Sequence, residues 1–278
     1  MPARDANKRP KMTRRHRVSF LSSPVSCKLM FGICGVLAGL GCLLFLLLLD
    51  SVRSAKWHVW TNVEGPRHSK AGCHAMCSTT FGVLLGAHNG VFAYSNCNST
   101  TCISNEIHAV SVSPATELYS DIDAMRRNSG IKWQCVEYAR RYWMMRGSPV
   151  GATFSLVTAA ADIWSLTTVQ LLNGSTVPLL KYANGAPADT GGSAPRVGDL
   201  LIYPKQRTDF PFGHVAVVVD VTSGSVLVAE QNWENTVWPA PHHNYSREIP
   251  MRHDADAKTY TITDEDDIKI TGWVRYGM

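Results

Sequence analysis

The sequence predicts an α+β domain, a helix-first chain packed on an antiparallel sheet, preceded by a single transmembrane helix. Three observations predict it. Residues 29–49, LMFGICGVLAGLGCLLFLLLL, contain no charged residue, and a run of that length matches the hydrocarbon thickness of a bilayer. Segments with helical spacing of apolar residues come early in the rest of the chain, at 135–145 and 155–166. Short β-branched runs bounded by glycine and proline then succeed one another to residue 276. Helices first and a meandering sheet afterwards suggest one domain over 79–278.

The N-terminal 28 residues hold eight of the 27 basic residues and one acid, Asp5. Positive charge before an apolar run stays cytoplasmic. The expected arrangement is therefore a cytoplasmic tail (1–28) that can touch anionic lipid, a signal-anchor helix (29–49), a polar stalk (50–78), and a luminal or extracellular catalytic domain, as in a single-pass type II membrane protein. A cleaved signal peptide is the rival, with a shorter apolar core and a small-residue cleavage site. Outside the tail the chain has 19 basic and 21 acidic residues, so the net charge of +5 is no nucleic-acid footprint.

Asn98, Asn173 and Asn244 open Asn-X-Ser/Thr tripeptides, glycosylation acceptors that all fall on the expected outer side. Five cysteines come after the apolar run: Cys73, Cys77, Cys97, Cys102 and Cys135. In an oxidising compartment the first four form two disulfides with three alternative pairings, leaving Cys135 as a thiol. A metal site at Cys73, His74 and Cys77 is the rival, but its spacing is not a common zinc spacing.

Along the domain, FGVLLG (81–86) and VFAYS (91–95) read as short strands. A weakly helical stretch spans 115–127. In KWQCVEYARRYW, Val136, Ala139 and Trp143 fit one helical face, and Gly147 and Pro149 end the helix. SLVTAAADIWSL reads as a second helix, and 183–198 as a Gly/Pro/Ala loop. Strands come next at 198–204, 214–221, 225–232, 259–262 and 269–276, the middle pair joined by Thr-Ser-Gly as a hairpin.

Cys135 stands at the start of its helix, where unpaired N–H groups and the dipole favour a thiolate. His214 opens an apolar strand and suits a general base. Glu230 lies on the next strand of the hairpin; direct pairing with His214 would place both side chains on one face, where a carboxylate orients an imidazole. Each has a plainer reading. A buried cysteine usually packs, and a histidine at a strand start usually satisfies one hydrogen bond. A carboxylate in VLVAEQN is harder to set aside, because burial without a partner is costly. His242 and His243 are alternative bases in a proline-flanked loop.

The blocks KWQCVEYARRYW, VGDLLIYP, FPFGHVAVVVDV and VLVAEQNW resemble the CHAP family of cysteine- and histidine-dependent amidohydrolases and peptidases, in the branch of the amidase half of glutathionylspermidine synthetase/amidase and trypanothione synthetase. The likeness extends over about 81–273 through FGVLLG, VFAYS, YANGAP and ITGW. The resemblance implies a papain-like fold with the nucleophile helix packed on an antiparallel sheet. It also implies a Cys135, His214 and Glu230 triad, with Arg140 and Asn232 as substrate-contacting residues. The plainer reading of Arg140 is a surface arginine beside Arg141.

The expected function is a membrane-anchored thiol amidohydrolase acting on a glutathione–polyamine amide or a related small amide or peptide. It uses no metal or organic cofactor and binds no nucleic acid. With no ATP-dependent half after ITGW, cleavage alone is expected. The alternatives are a CHAP peptidase or cell-wall amidase on the same triad, and a non-catalytic anchored binding module.

Overall fold

The computed structural model describes residues 77–98, 102–112, 126–206, 208, 210–265 and 268–277, all within the unit Pro66–Met278. The strands, in chain order, are β1 (Leu84–His88), β2 (Val91–Tyr94), β3 (Ile107–Ser111), β4 (Arg126–Ile131), β5 (Ala152–Thr153), β6 (Thr168–Leu171), β7 (Thr176–Ala183), β8 (Leu200–Tyr203), β9 (His214–Val221), β10 (Ser225–Ala229), β11 (Arg247–Asp254), β12 (Thr259–Ile262) and β13 (Gly272–Tyr276). One α-helix among the described residues, α1 (Cys135–Arg146), lies between β4 and β5.

Nine strands form one antiparallel sheet in the order β12-β11-β10-β9-β8-β13-β7-β6-β5, while β1-β2 and β3-β4 are separate hairpins. The apolar run HVAVVVDV becomes β9 in the middle of this sheet because both its faces are covered. Val215, Val217 and Val219 join a core with Leu200, Ile202 and the helix residues Tyr138, Ala139, Tyr142 and Trp143. Ala216 and Val218 pack on the opposite face with Tyr203, Val226, Val228, Ile249 and Trp273. The two-residue side-chain period sorts one strand into two cores.

The α+β expectation is corrected. Of the described residues, 39% lie in strands and 12% in helical turns, so the described part of the chain is mostly β. The segment 155–166 is not an α-helix: only Ala160–Ser165 turns, as a 3-10 helix, with Leu156 before it 86% exposed. Of the weakly helical stretch, residues 115–125 lie outside the described residues, and its end enters β4.

The transmembrane expectation is corrected too. Among the described residues no helix is long and apolar enough to cross a membrane, so the structure does not support a single-pass type II protein with a lipid partner. The basic tail, the apolar run 29–49 and residues 50–76 lie outside the described residues.

Candidate active site

Helix α1 is buried nearly all round, from Cys135 and Glu137 through Met144. That exceeds the single apolar face expected from sequence, and it includes two arginines and a glutamate. A charged helix can be buried only if its charges are paired. Glu137 accepts hydrogen bonds from Arg141 Nε (2.7 Å), Arg141 Nη2 (3.1 Å), His108 Nδ1 (2.8 Å), Ser129 Oγ (2.8 Å) and Gln231 Nε2 (2.9 Å). Burial pushes this carboxyl up, but Arg141 foremost, with His108, holds it well below the carboxylate range. Gln231 comes directly after Glu230, so this network ties the first turn of α1 to the end of β10.

The approach to Cys135 is equally constrained. Trp133 has φ +64°, a left-handed conformation uncommon for an aromatic residue. Its ring lies 4.3 Å from that of Tyr94 and 5.1 Å from that of His108. Gln134 is the extended N-cap, and its carbonyl accepts from Tyr138 N–H at 3.1 Å. Cys135 is 7% exposed.

His214 opens β9 after Gly213, whose φ is +64° and whose added Cβ would collide with the Tyr203 carbonyl; glycine is required there on both grounds. The imidazole is buried. Its Nε2 is 2.8 Å from Glu230 Oε2, and Cys135 is close enough to act electrostatically on the same ring. With Nε2 engaged by Glu230, the nitrogen left for Cys135 is Nδ1. Burial alone would lower the pKa of His214. Cys135, then Glu230, reverse this and raise it to about 9. Glu230 shows the complementary shift. Burial pushes it up, but Arg247, then His214, bring it down to about 2.

The register explains how these side chains meet. In the outer part of the hairpin Leu227 faces Asp220, but after a bulge Val228 faces Val218 and Ala229 faces Val217. Continued by one residue, this puts Glu230 beside Ala216, on the face of His214 and displaced diagonally from it. Without the bulge Glu230 would point to the opposite face. The direct His214–Glu230 pairing considered from sequence is thus replaced by a diagonal one.

The other expected site residues divide. Asn232 Nδ2 donates to Gln134 Oε1 at 2.9 Å, and its Oδ1 accepts from Asn96 Nδ2. With its oxygen so held, Gln134 has a buried Nε2 with no hydrogen-bond partner. Arg140 is drawn away from any cleft. It is 3% exposed and donates to the carbonyls of Ser129 (2.6 Å), Phe154 (3.1 Å) and Ser155 (3.1 Å). It braces β4 and the 154–155 segment against the helix and is not a surface residue either.

His243 Nδ1 is 2.5 Å from the Trp238 carbonyl. Cys77 and Cys97 form a disulfide, which removes Cys77 from the metal alternative; Cys73 lies outside the described residues. Asn173 and Asn244 are exposed and Asn98 is half-buried. A cavity of about 600 Å³ opens at the far end of α1, between Arg146, Arg196 and Tyr276; Cys135 does not line it.

A cysteine at a buried helix start, meeting a histidine and a glutamate at the end of an antiparallel sheet, defines the arrangement of a cysteine-dependent hydrolase. Residues 126–232 match the CHAP domain family, and this span contains Cys135, His214, Glu230 and Asn232. The chain is 34% identical over 203 residues to the bifunctional glutathionylspermidine synthetase/amidase of Escherichia coli (strain K12), covering 70% of this chain and 29% of that protein. It is 34% identical over 150 residues to glutathionylspermidine synthase of Crithidia fasciculata, covering 53% of this chain and 19% of that one. Trypanothione synthetase of Crithidia fasciculata is 31% identical over 152 residues, 53% of this chain and 21% of its own length. The chain therefore spans less than a third of the length of these relatives. The domain and the relatives together support a cysteine amidase or hydrolase.

Proposed function

We propose that the chain hydrolyses a linear amide with Cys135 as nucleophile, His214 as base and acid, and Glu230 as the residue that orients the imidazole. The observation that carries this reading is the buried His214–Glu230 pair, 2.8 Å apart, with Cys135 and Glu230 both acting to raise the pKa of the imidazole between them. The Cys135 sulfur, its proton on His214, attacks the carbonyl carbon. The developing oxyanion is met by the backbone N–H of Cys135 and by Gln134 Nε2, the buried donor without a partner. Collapse breaks the C–N bond, and His214 returns the proton to the leaving amine. Water, deprotonated by His214, then attacks the thioester and releases the acid and the thiol. Asn232 serves by holding the Gln134 amide in place, not by touching substrate as the resemblance implied.

The substrate class is a glutathione–polyamine amide or a related γ-glutamyl-peptide amide, on the strength of relatives named for glutathionylspermidine and trypanothione. Arg140 has no part in binding it, because its guanidinium already serves three backbone carbonyls. The test is incubation of the full chain with glutathionylspermidine and, separately, with short peptides, following release of amine. Turnover of the polyamine amide, lost in Cys135→Ala, is expected. Turnover of peptides alone would replace the substrate class, and turnover of neither would overturn the reading.

A further inference from the structure

A buried carboxylate that must stay ionised while it orients a histidine needs a second partner of opposite charge. Glu230 has one that does not belong to the triad. Its Oε2 is taken by His214, while Oε1 accepts from Arg247 Nε at 2.7 Å and from Ser246 Oγ at 3.1 Å. Arg247, at the start of β11, is itself fixed on its far side. Its Nη1 reaches both oxygens of Asp264 (2.9 and 3.1 Å), its Nη2 lies 3.3 Å from the Tyr203 hydroxyl, and that hydroxyl donates to Asp264 at 2.6 Å. The Trp233 ring covers the guanidinium at 4.1 Å and lies 4.7 Å from the His214 ring. One guanidinium thus places its positive charge between two buried carboxylates.

We infer that Arg247 is a positioning residue for the Cys135–His214 pair: anchored by Asp264 and Tyr203 and roofed by Trp233, it keeps Glu230 ionised and aimed at His214. This rests on the proposed role of the triad and extends it by one residue to a shell that has no contact with the substrate. The charged and titratable groups facing Glu230 are His214 from β9, Arg247 from β11, Asp264 after β12, Tyr203 from β8 and Tyr138 from α1. Of these Arg247 is the permanent cation. Without it the carboxyl is left with Ser246 and His214, and it takes up a proton at a higher pH than in the wild type.

Two readouts test this in the full chain carrying Arg247→Met or Arg247→Lys. The first is the rate at which iodoacetamide alkylates Cys135, followed by mass on its peptide between about pH 5 and pH 8. In Arg247→Met, where Glu230 has lost its cation and is protonated near pH 5, the rate falls about tenfold there and less than threefold near pH 8. Arg247→Lys recovers most of the loss near pH 5. The second needs no reactive thiol. The deficit in melting temperature of Arg247→Met narrows as pH falls from 8 to 4, because protonation removes the uncompensated charge on Glu230.

Uniform slowing at every pH, with no rescue by lysine and a melting deficit independent of pH, would reduce Arg247 to a packing role and leave the triad reading untouched. Slow alkylation of the wild type with a narrowing melting deficit would do the reverse: the clamp on Glu230 stands and the nucleophile assignment falls.

Discussion

At the scale of single residues, Cys135 is the side chain proposed to react, whereas Arg140 holds backbone carbonyls. Cys135→Ala should abolish amide hydrolysis with the fold intact, read as lost turnover with an unchanged circular dichroism spectrum. Arg140→Ala should act on stability. It strips donors from the carbonyls of Ser129, Phe154 and Ser155, and buried unsatisfied acceptors cost about 1–3 kcal/mol each. A urea midpoint lowered to that extent is the expected result, with the loss of turnover no greater on a substrate bearing free carboxylates than on its ester. Glu230 was legible in the sequence because a carboxylate inside VLVAEQN must have a partner. The task of Arg140 was not, because it depends on which carbonyls of 129, 154 and 155 the sheet leaves unpaired. Gln134 was overlooked although it directly precedes Cys135; only the fold shows that Asn232 holds its oxygen and leaves its nitrogen unpartnered.

At the scale of elements, α1 was readable and several strands were not. β7 and β11 contain Pro178 and Pro250, and proline argues against an interior strand when only sequence is at hand. Both strands are flanked by neighbours on each side in the sheet. Pro250 stands opposite Ser225, and Pro178 opposite Thr168. The 155–166 segment misled in the opposite direction, since its alanines suit a helix but Leu156 faces solvent. The bulge between Leu227 and Val228 has no sequence signature, yet it sets the face on which Glu230 lies. Two predictions belong here. Trp143 is 1% exposed, between Phe154 and Tyr276 and bonded to the Gly198 carbonyl. Trp143→Ala should therefore lower unfolding free energy by about 3–5 kcal/mol in chemical denaturation. Reducing the Cys77–Cys97 bridge, which closes a separation of 20 residues, should cost about 3 kcal/mol if chain entropy governs it, read as a shift of the midpoint on adding reductant.

For the whole molecule, the buried triad couples stability to pH. The pKa of His214 rises from 6.5 to about 9, so its contribution is complete below about 6.5 and is lost as pH rises through about 9. Glu230 falls from 4.5 to about 2, so its contribution is present above about 4.5 and is lost as pH falls through about 2. Melting temperature should therefore decline on the alkaline side, and the decline should shrink in Cys135→Ala, because Cys135 is the largest influence raising His214. A melting curve equally steep with pH in both proteins would contradict this. The measurement closest to the central claim is the intact mass of the full chain, quenched in acid during turnover of glutathionylspermidine near pH 7. The mechanism predicts an acyl adduct on the peptide containing Cys135, absent from Cys135→Ala. Amine released at the wild-type rate by Cys135→Ala, with no adduct on either protein, would contradict it.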